Sequence, residues 1–170
     1  SNMLVAHALS ESHHSKGEHS KSILFNYNSR NVSFLKSYVT GGKERHIRMN
    51  EGVTSEWHNN IFYGFYDAGA INTGAKLDAE NNQWIESGYD LAAYSNAILK
   101  QIGTGYTTEA YDYTAADNRL HHSGNVVSAT YPPSQLTPAV ASGWTNEGTR
   151  GVDSGYTTLS IAAAETHIIA

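Results

Sequence analysis

The sequence predicts a mainly β domain, an antiparallel sandwich or fibre-like β structure, with one α-helix packed on it over residues 89–102. Three observations point there. Only 16% of the 170 residues are Asp, Glu, Lys or Arg, against about a quarter in ordinary globular domains. Fifteen glycines and eleven tyrosines, with abundant Ser, Thr and Asn, suit short strands joined by tight turns. Residues 31–40 alternate, with Val32, Phe34, Lys36 and Tyr38 on one face and Ser33, Leu35, Ser37 and Val39 on the other, the period of an extended chain.

Residues 1–21 read as a polar, His-rich arm in which Ser1-Asn2 resembles a scar of tag removal, with a short helix through Met3, Leu4, Ala8 and Leu9. Residues 22–170 read as one β-rich domain, long enough to bury a core without disulfides. Strands are expected at 22–27 and 31–40. Gly41-Gly42 then supplies the positive φ of a two-residue hairpin that returns through 43–49. Asn50-Glu51-Gly52 makes a turn, and Trp57 followed by the aromatic run 61–66 reads as a buried strand in which Gly64 marks a bulge or the close approach of another backbone. Residues 67–82 look like turns around a single short strand. Leu91, Tyr94, Ile98 and Ile102 stand three and four apart, the spacing of one helical face, with Gly103 placed to end it. Further strands are expected at 125–131 and 156–161. Gly105-Tyr106-Thr107-Thr108 recurs at 155–158, but the flanks differ, so the echo reads as a shared turn-to-strand preference rather than a duplication.

Composition excludes several function classes. The absence of cysteine removes thiol nucleophiles, thiolate zinc sites and disulfide frameworks. A net charge of -5, eleven basic residues and no Lys/Arg run argue against a surface that tracks phosphates, so no nucleic-acid partner is expected. No apolar run approaches the roughly 20 residues that span a bilayer, and a soluble chain follows. Nucleotide-binding loops and the strained serine elbow of acyl hydrolases are missing too.

Two groups of residues carry candidate chemistry. The first is imidazole. His13-His14-Ser15-Lys16-Gly17-Glu18-His19 gathers three histidines, and His14, His19, His121 and His122 are candidate ligands of a divalent metal ion, the one cofactor for which a case exists. The bland alternative is a solvated arm and a polar turn. Adjacent histidines diverge on any regular backbone, and His14 and His19 miss the i, i+4 spacing of zinc helices. His121-His122 also stands near Asp112 and Asp117 in sequence, enough for general-base work. Glu56, His58 and Asn59 match fragments of nuclease motifs without the His-Asn-His spacing. The second group is aromatic. Trp84, Trp144 and Tyr89 could stack on sugar rings while Asn81, Asn82 and Asn146 bind the hydroxyls. The structural alternative is that the tryptophans, Trp57 first among them, form the core.

Two resemblances bear on these residues. Ser12, His14 and Gly17 resemble part of the zinc motif of cell-wall D-alanyl peptidases, but His19 replaces its alanine and Lys21 its ligand aspartate, and a protonated lysine cannot ligate zinc. The run Gly155-Tyr156-Thr157-Thr158-Leu159-Ser160-Ile161-Ala162, with the low charge and Tyr-rich strands, is similar in texture to bacteriophage tail-fibre and tailspike domains. That resemblance implies a homotrimer, outside the cell or on a virion, that recognises cell-surface carbohydrate. The expectation is therefore a non-catalytic binding or fibre-like module. The alternatives are a metal-dependent hydrolase using the histidines and a small secreted effector or toxin domain.

Overall fold

In the computed structural model every strand runs parallel to its partners, and the chain winds as a three-faced solenoid. The structure describes residues 2–6, 22–41, 44–63, 67–72, 74–85, 99–101, 119–128, 145–146 and 155–169. Sheet A stacks β1 (Leu4–Val5), β4 (Tyr38–Thr40), β7 (Ile61–Tyr63), β10 (Gln83–Ile85) and β13 (Val126–Ser128). Sheet B stacks β2 (Ile23–Phe25), β5 (Glu44–Met49), β8 (Asp67–Ile71) and β11 (Leu99–Gln101). Sheet C stacks β3 (Val32–Leu35), β6 (Thr54–His58), β9 (Lys76–Glu80), β12 (Arg119–Ser123) and β14 (Thr145–Asn146). From β1 to β13 the described strands fall in A, B and C in turn, and β14 returns to sheet C, so each coil lies on the one before it.

The two-residue corner from sheet C to sheet A fixes the stacking. Its first residue is Lys36, Asn59, Asn81 or Gly124, with φ of 47°, 57°, 47° and 62°. This left-handed conformation suits Gly and Asn and is uncommon for other residues. Gly124 is required twice over, because a Cβ there would collide with the Asn81 side chain. The second corner residue is Ser37, Asn60, Asn82 or Asn125, separated by steps of 23, 22 and 43 residues. Here the asparagines form an internal ladder. The amide oxygens of Asn60, Asn82 and Asn125 accept from the backbone N–H groups of Ser37, Asn60 and Asn82 at 3.0, 3.0 and 2.9 Å. Their Nδ2 groups donate to the carbonyls of Phe34, Trp57 and Ala79 at 2.8, 2.6 and 2.7 Å. A buried corner would otherwise leave those backbone groups unpaired, at about 1–3 kcal/mol each. At the corner from B to C a second set of side chains bonds from coil to coil, here to one another. There Asn50 donates to Asn26 at 3.1 Å, and Asn72 donates to Glu51 at 2.9 Å.

Inside the solenoid, residues equivalent from coil to coil stack. Phe34, Trp57 and Ala79 line sheet C, while Val39, Phe62 and Trp84 line sheet A, and all are buried. Phe62 and Trp84 stack at 5.4 Å between centroids and 15° between planes. Ile47 and Met49 close the core from sheet B. Outside it, residues 156–160 run along the C-to-A corner into helix α1 (Ile161–Ile169). Ser160 caps that helix, its hydroxyl accepting from Ala163 N–H at 3.3 Å. No described helix is long and apolar enough to cross a membrane.

Mainly β structure is observed, and its direction is the correction: the sheets are parallel rather than an antiparallel sandwich. Alternation marks which side chains face inward but carries no information on strand direction. The hairpin expected at Gly41-Gly42 does not form: β4 ends at Thr40 in sheet A, and β5 lies in sheet B, paired in parallel with β2 and β8. The continuous strand over 31–40 is two strands in different sheets, broken by the positive φ of Lys36. Of the helix expected over 89–102, Leu99–Gln101 is strand β11, paired with β8, and residues 89–98 and 102 lie outside the described residues. The strand expected at 156–161 gives way to an extended segment and α1. Ala162, Ala163 and Ala164 are strong helix formers, and Ser160 supplies a cap. In the N-terminal arm Leu4–Val5 joins sheet A beside β4 instead of forming a helix.

Candidate functional site

Because Val32, Phe34, Ser55, Trp57, Leu77 and Ala79 face inward, the alternate residues of sheet C face outward. Register aligns them in two rows, one of Ser33, Glu56, Asp78 and His121, the other of Leu35, His58, Glu80 and Ser123. Neighbouring strands are about 4.8 Å apart, so the rows bring three carboxylates and two imidazoles onto one face.

The Ser33 hydroxyl donates to Glu56 Oε1 at 2.6 Å. Glu56 Oε2 lies 3.9 Å from His58 Nδ1 and accepts no hydrogen bond among the described residues. Glu56 and His58 have no exposed surface. One coil on, Glu80 Oε1 is 3.0 Å from His121 Nε2, and Glu80 Oε2 accepts the Thr158 hydroxyl at 2.6 Å. The Glu80 and His121 side chains each keep 14% of their surface in solvent.

The extended segment 156–159 lies along the corner edge of this face and is held by the corner asparagines. The Tyr156 ring packs on His58 at 5.8 Å, and its hydroxyl donates to Asn59 Oδ1 at 3.0 Å. Leu159 N–H donates to the same oxygen at 2.7 Å, while Leu159 O accepts from Asn59 and Asn81 at 2.7 and 2.8 Å. Lys36 Nζ stands 5.6 Å from the centre of the Tyr156 ring. Burial pushes the Tyr156 phenol above its ordinary value of 10.0, so the hydroxyl remains a donor at neutral pH. Chemically, the face can orient an imidazole with a carboxylate and bind hydroxyls through Glu80, Asn59 and Asn81.

The residues singled out in the sequence divide. Trp84 is in the core, and Asn82 is spent on the internal ladder, so neither meets solvent. Asn81 faces outward onto the C-terminal segment. Asn146 belongs to β14, opposite Leu120; Tyr89 and Trp144 lie outside the described residues. Among the histidines, His121 pairs with Glu80, and His122 is placed by its backbone opposite Ala79. His14 and His19 are outside the described residues. Among the described residues no three His, Cys, Asp or Glu side chains converge as a metal site would require.

Glu80, Asp78, Thr158 and the outward roles of His58 and Asn59 escaped the sequence reading. For all of them but Thr158 the signal is a repeat. Glu56-Trp57-His58-Asn59-Asn60 and Asp78-Ala79-Glu80-Asn81-Asn82 share one pattern, outward polar, inward apolar, outward polar, corner pair, 22 residues apart. Comparison with known proteins supplies no further guide: no family model, curated protein or solved structure matches the chain.

Proposed function

We propose that this chain is a β-solenoid binding module that grips an extended cell-surface carbohydrate along the outer face of sheet C. One observation carries the reading. Residues 156–159 already lie along the corner edge of that face, held by a hydroxyl-to-carboxylate bond, an aromatic contact and two side-chain amides. These are the groups with which proteins hold sugars, whose hydroxyls need acceptors and donors and whose ring faces need apolar cover. A glycan would displace the segment and take over its partners. A glycan array tests this with the full chain, Tyr156→Ala, which loosens the segment without altering the solenoid, and Glu80→Gln. Retention of a glycan that strengthens in the first variant and falls in the second supports the reading; no retention by any of the three removes it.

The fibre-like part of the proposal is that copies associate outside the cell or on a virion. Its support is the apolar surface that the first coil turns outward from sheet B, where Leu24 is 58% exposed and a second copy would cover it. A trimer by light scattering fits this, whereas a monomer at high concentration sinks it.

A hydrolytic reading is favoured by the Glu80–His121 pair at 3.0 Å. A carboxylate that orients an imidazole is the minimum for taking a proton from water. Release of reducing ends from a bound glycan, lost in His121→Asn, would establish it. Binding without release leaves the module as proposed, and elemental analysis of chelator-free protein tests whether the histidines bring an ion.

A further inference from the structure

A cleft of about 400 Å³ opens between β1, the first C-to-A corner and the last turn of α1, within the size range of small-molecule sites. Met3, Leu4 and Ile168 give it apolar walls, and Lys36, Tyr38 and His167 supply its polar groups. We propose that this cleft binds a small amphipathic anion, a carboxylate or phosphate carried on a short apolar body.

The corner residue is the first support. Lys36 holds φ of 47° where the following coils use Asn59, Asn81 and Gly124, residues that adopt this conformation readily. A lysine there carries strain of about 1 kcal/mol. The backbone contact it makes, Lys36 N–H to His58 O at 3.1 Å, is open to any residue with an N–H. What lysine adds is a cationic side chain on the wall of the cleft. Its ammonium stands 5.6 Å from the centre of the Tyr156 ring, whose face attracts the charge without taking up its N–H donors. Strain kept at a position where a relaxed residue would serve is a mark of function.

Charge selection is the second. The chain carries sixteen acidic residues against eleven basic ones, yet among the described residues no carboxylate lines this cleft while a lysine, a histidine and a phenol do. Tyr38 is a reliable donor: burial, and after it the neighbouring Tyr63, raise its phenol above 10.0 against a smaller opposing effect of Thr40. An anion would meet donors from the corner, from sheet A and from the helix, and its apolar body would replace water against Met3, Leu4 and Ile168.

Calorimetric titration of the full chain with octanoate, octyl phosphate and octanol tests the site, using Lys36→Asn and His167→Gln as variants. Saturable binding of at least one of the two anions is expected, with octanol much weaker. The anion that binds better identifies the headgroup. Lys36→Asn, which installs the residue of the next two corners, should melt no lower than the parent chain yet bind the anion about tenfold or more weakly, one charge-assisted hydrogen bond being of that order. His167→Gln should weaken it as well. Absence of saturable anion binding, equal binding of octanol, or full affinity in Lys36→Asn would each overturn the proposal.

Discussion

Asn59 holds both polar groups of Leu159, a residue 100 positions away: Oδ1 accepts its N–H and Nδ2 donates to its carbonyl, each at 2.7 Å. The contact is the one an added strand would make, supplied by a side chain, and it ties the C-terminal segment to the second coil. Replacing Asn59 with glycine keeps the left-handed corner, since glycine adopts φ of 57° freely, and deletes the clamp together with one long bond, 3.4 Å, to Asn81 O. Hydrogen exchange at residues 156–160 should accelerate at least tenfold while the unfolding midpoint moves little. An unchanged exchange rate at Leu159 would show that the clamp does not hold the segment.

The two neighbouring asparagines Asn81 and Asn82 should behave oppositely. Asn82 is fully buried and bonds to Asn60, Trp57 and Asn125, so Asn82→Ala strands a buried N–H and a buried C=O. A loss of about 3–5 kcal/mol in denaturant unfolding is expected. Asn81→Gly gives up one bond, to Leu159 O, and relieves a positive φ, so its effect should stay below about 1 kcal/mol. Equal losses at the two positions would contradict the division into an internal ladder and an external clamp.

Alkaline pH should release the segment. An unfolded tyrosine ionises near pH 10, and the folded Tyr156 ionises higher because it is partly desolvated. Between those values the unfolded state gives up its proton first, so stability is present in full below pH 10 and falls as pH rises through the folded value. Ionisation also deletes the donor that Tyr156 offers to Asn59. Tyr38 shifts in the same direction and adds to the loss. Exchange at 156–160, followed from pH 9 to 11.5 and corrected for intrinsic rates, should show a step in the parent chain that is missing in Tyr156→Phe. A step of equal size in both would assign it to another group.

Thr158 and Glu80 should be energetically coupled. Their 2.6 Å bond places a hydroxyl on a carboxylate that also faces His121, and hydrogen bonds to charged acceptors are about twice as strong as neutral ones. A double-mutant cycle of Thr158→Ala and Glu80→Gln should return a coupling of about 1 kcal/mol at pH 7, reduced from the buried range because both groups reach solvent. Additive losses would mean that the contact contributes nothing.

Part of the site was legible in the chain and part was not. The extended character of residues 23–25 and 44–49, the turn at Asn50-Glu51-Gly52 and the burial of Trp57 follow from local pattern. Glu80 gave no such signal: it sits in a stretch of small and polar residues, 67–82, whose two strands are held by stacking on β5 and β6 more than by their own propensity. His121 was visible as a histidine, yet its partner lies 41 residues earlier and is brought near only by register.

Taken alone, the sequence determines what is local: which segments extend, which side chains alternate inward, and where Asn or Gly permits a left-handed corner. Tertiary structure decides that the strands stack in parallel, that Asn60, Asn82 and Asn125 join in one ladder, and that Glu80 meets both His121 and Thr158. The reason is that a side-chain period of two is blind to direction. The partners that fix direction are backbone groups a full coil away, 22 to 43 residues along the chain, and no local pattern names them.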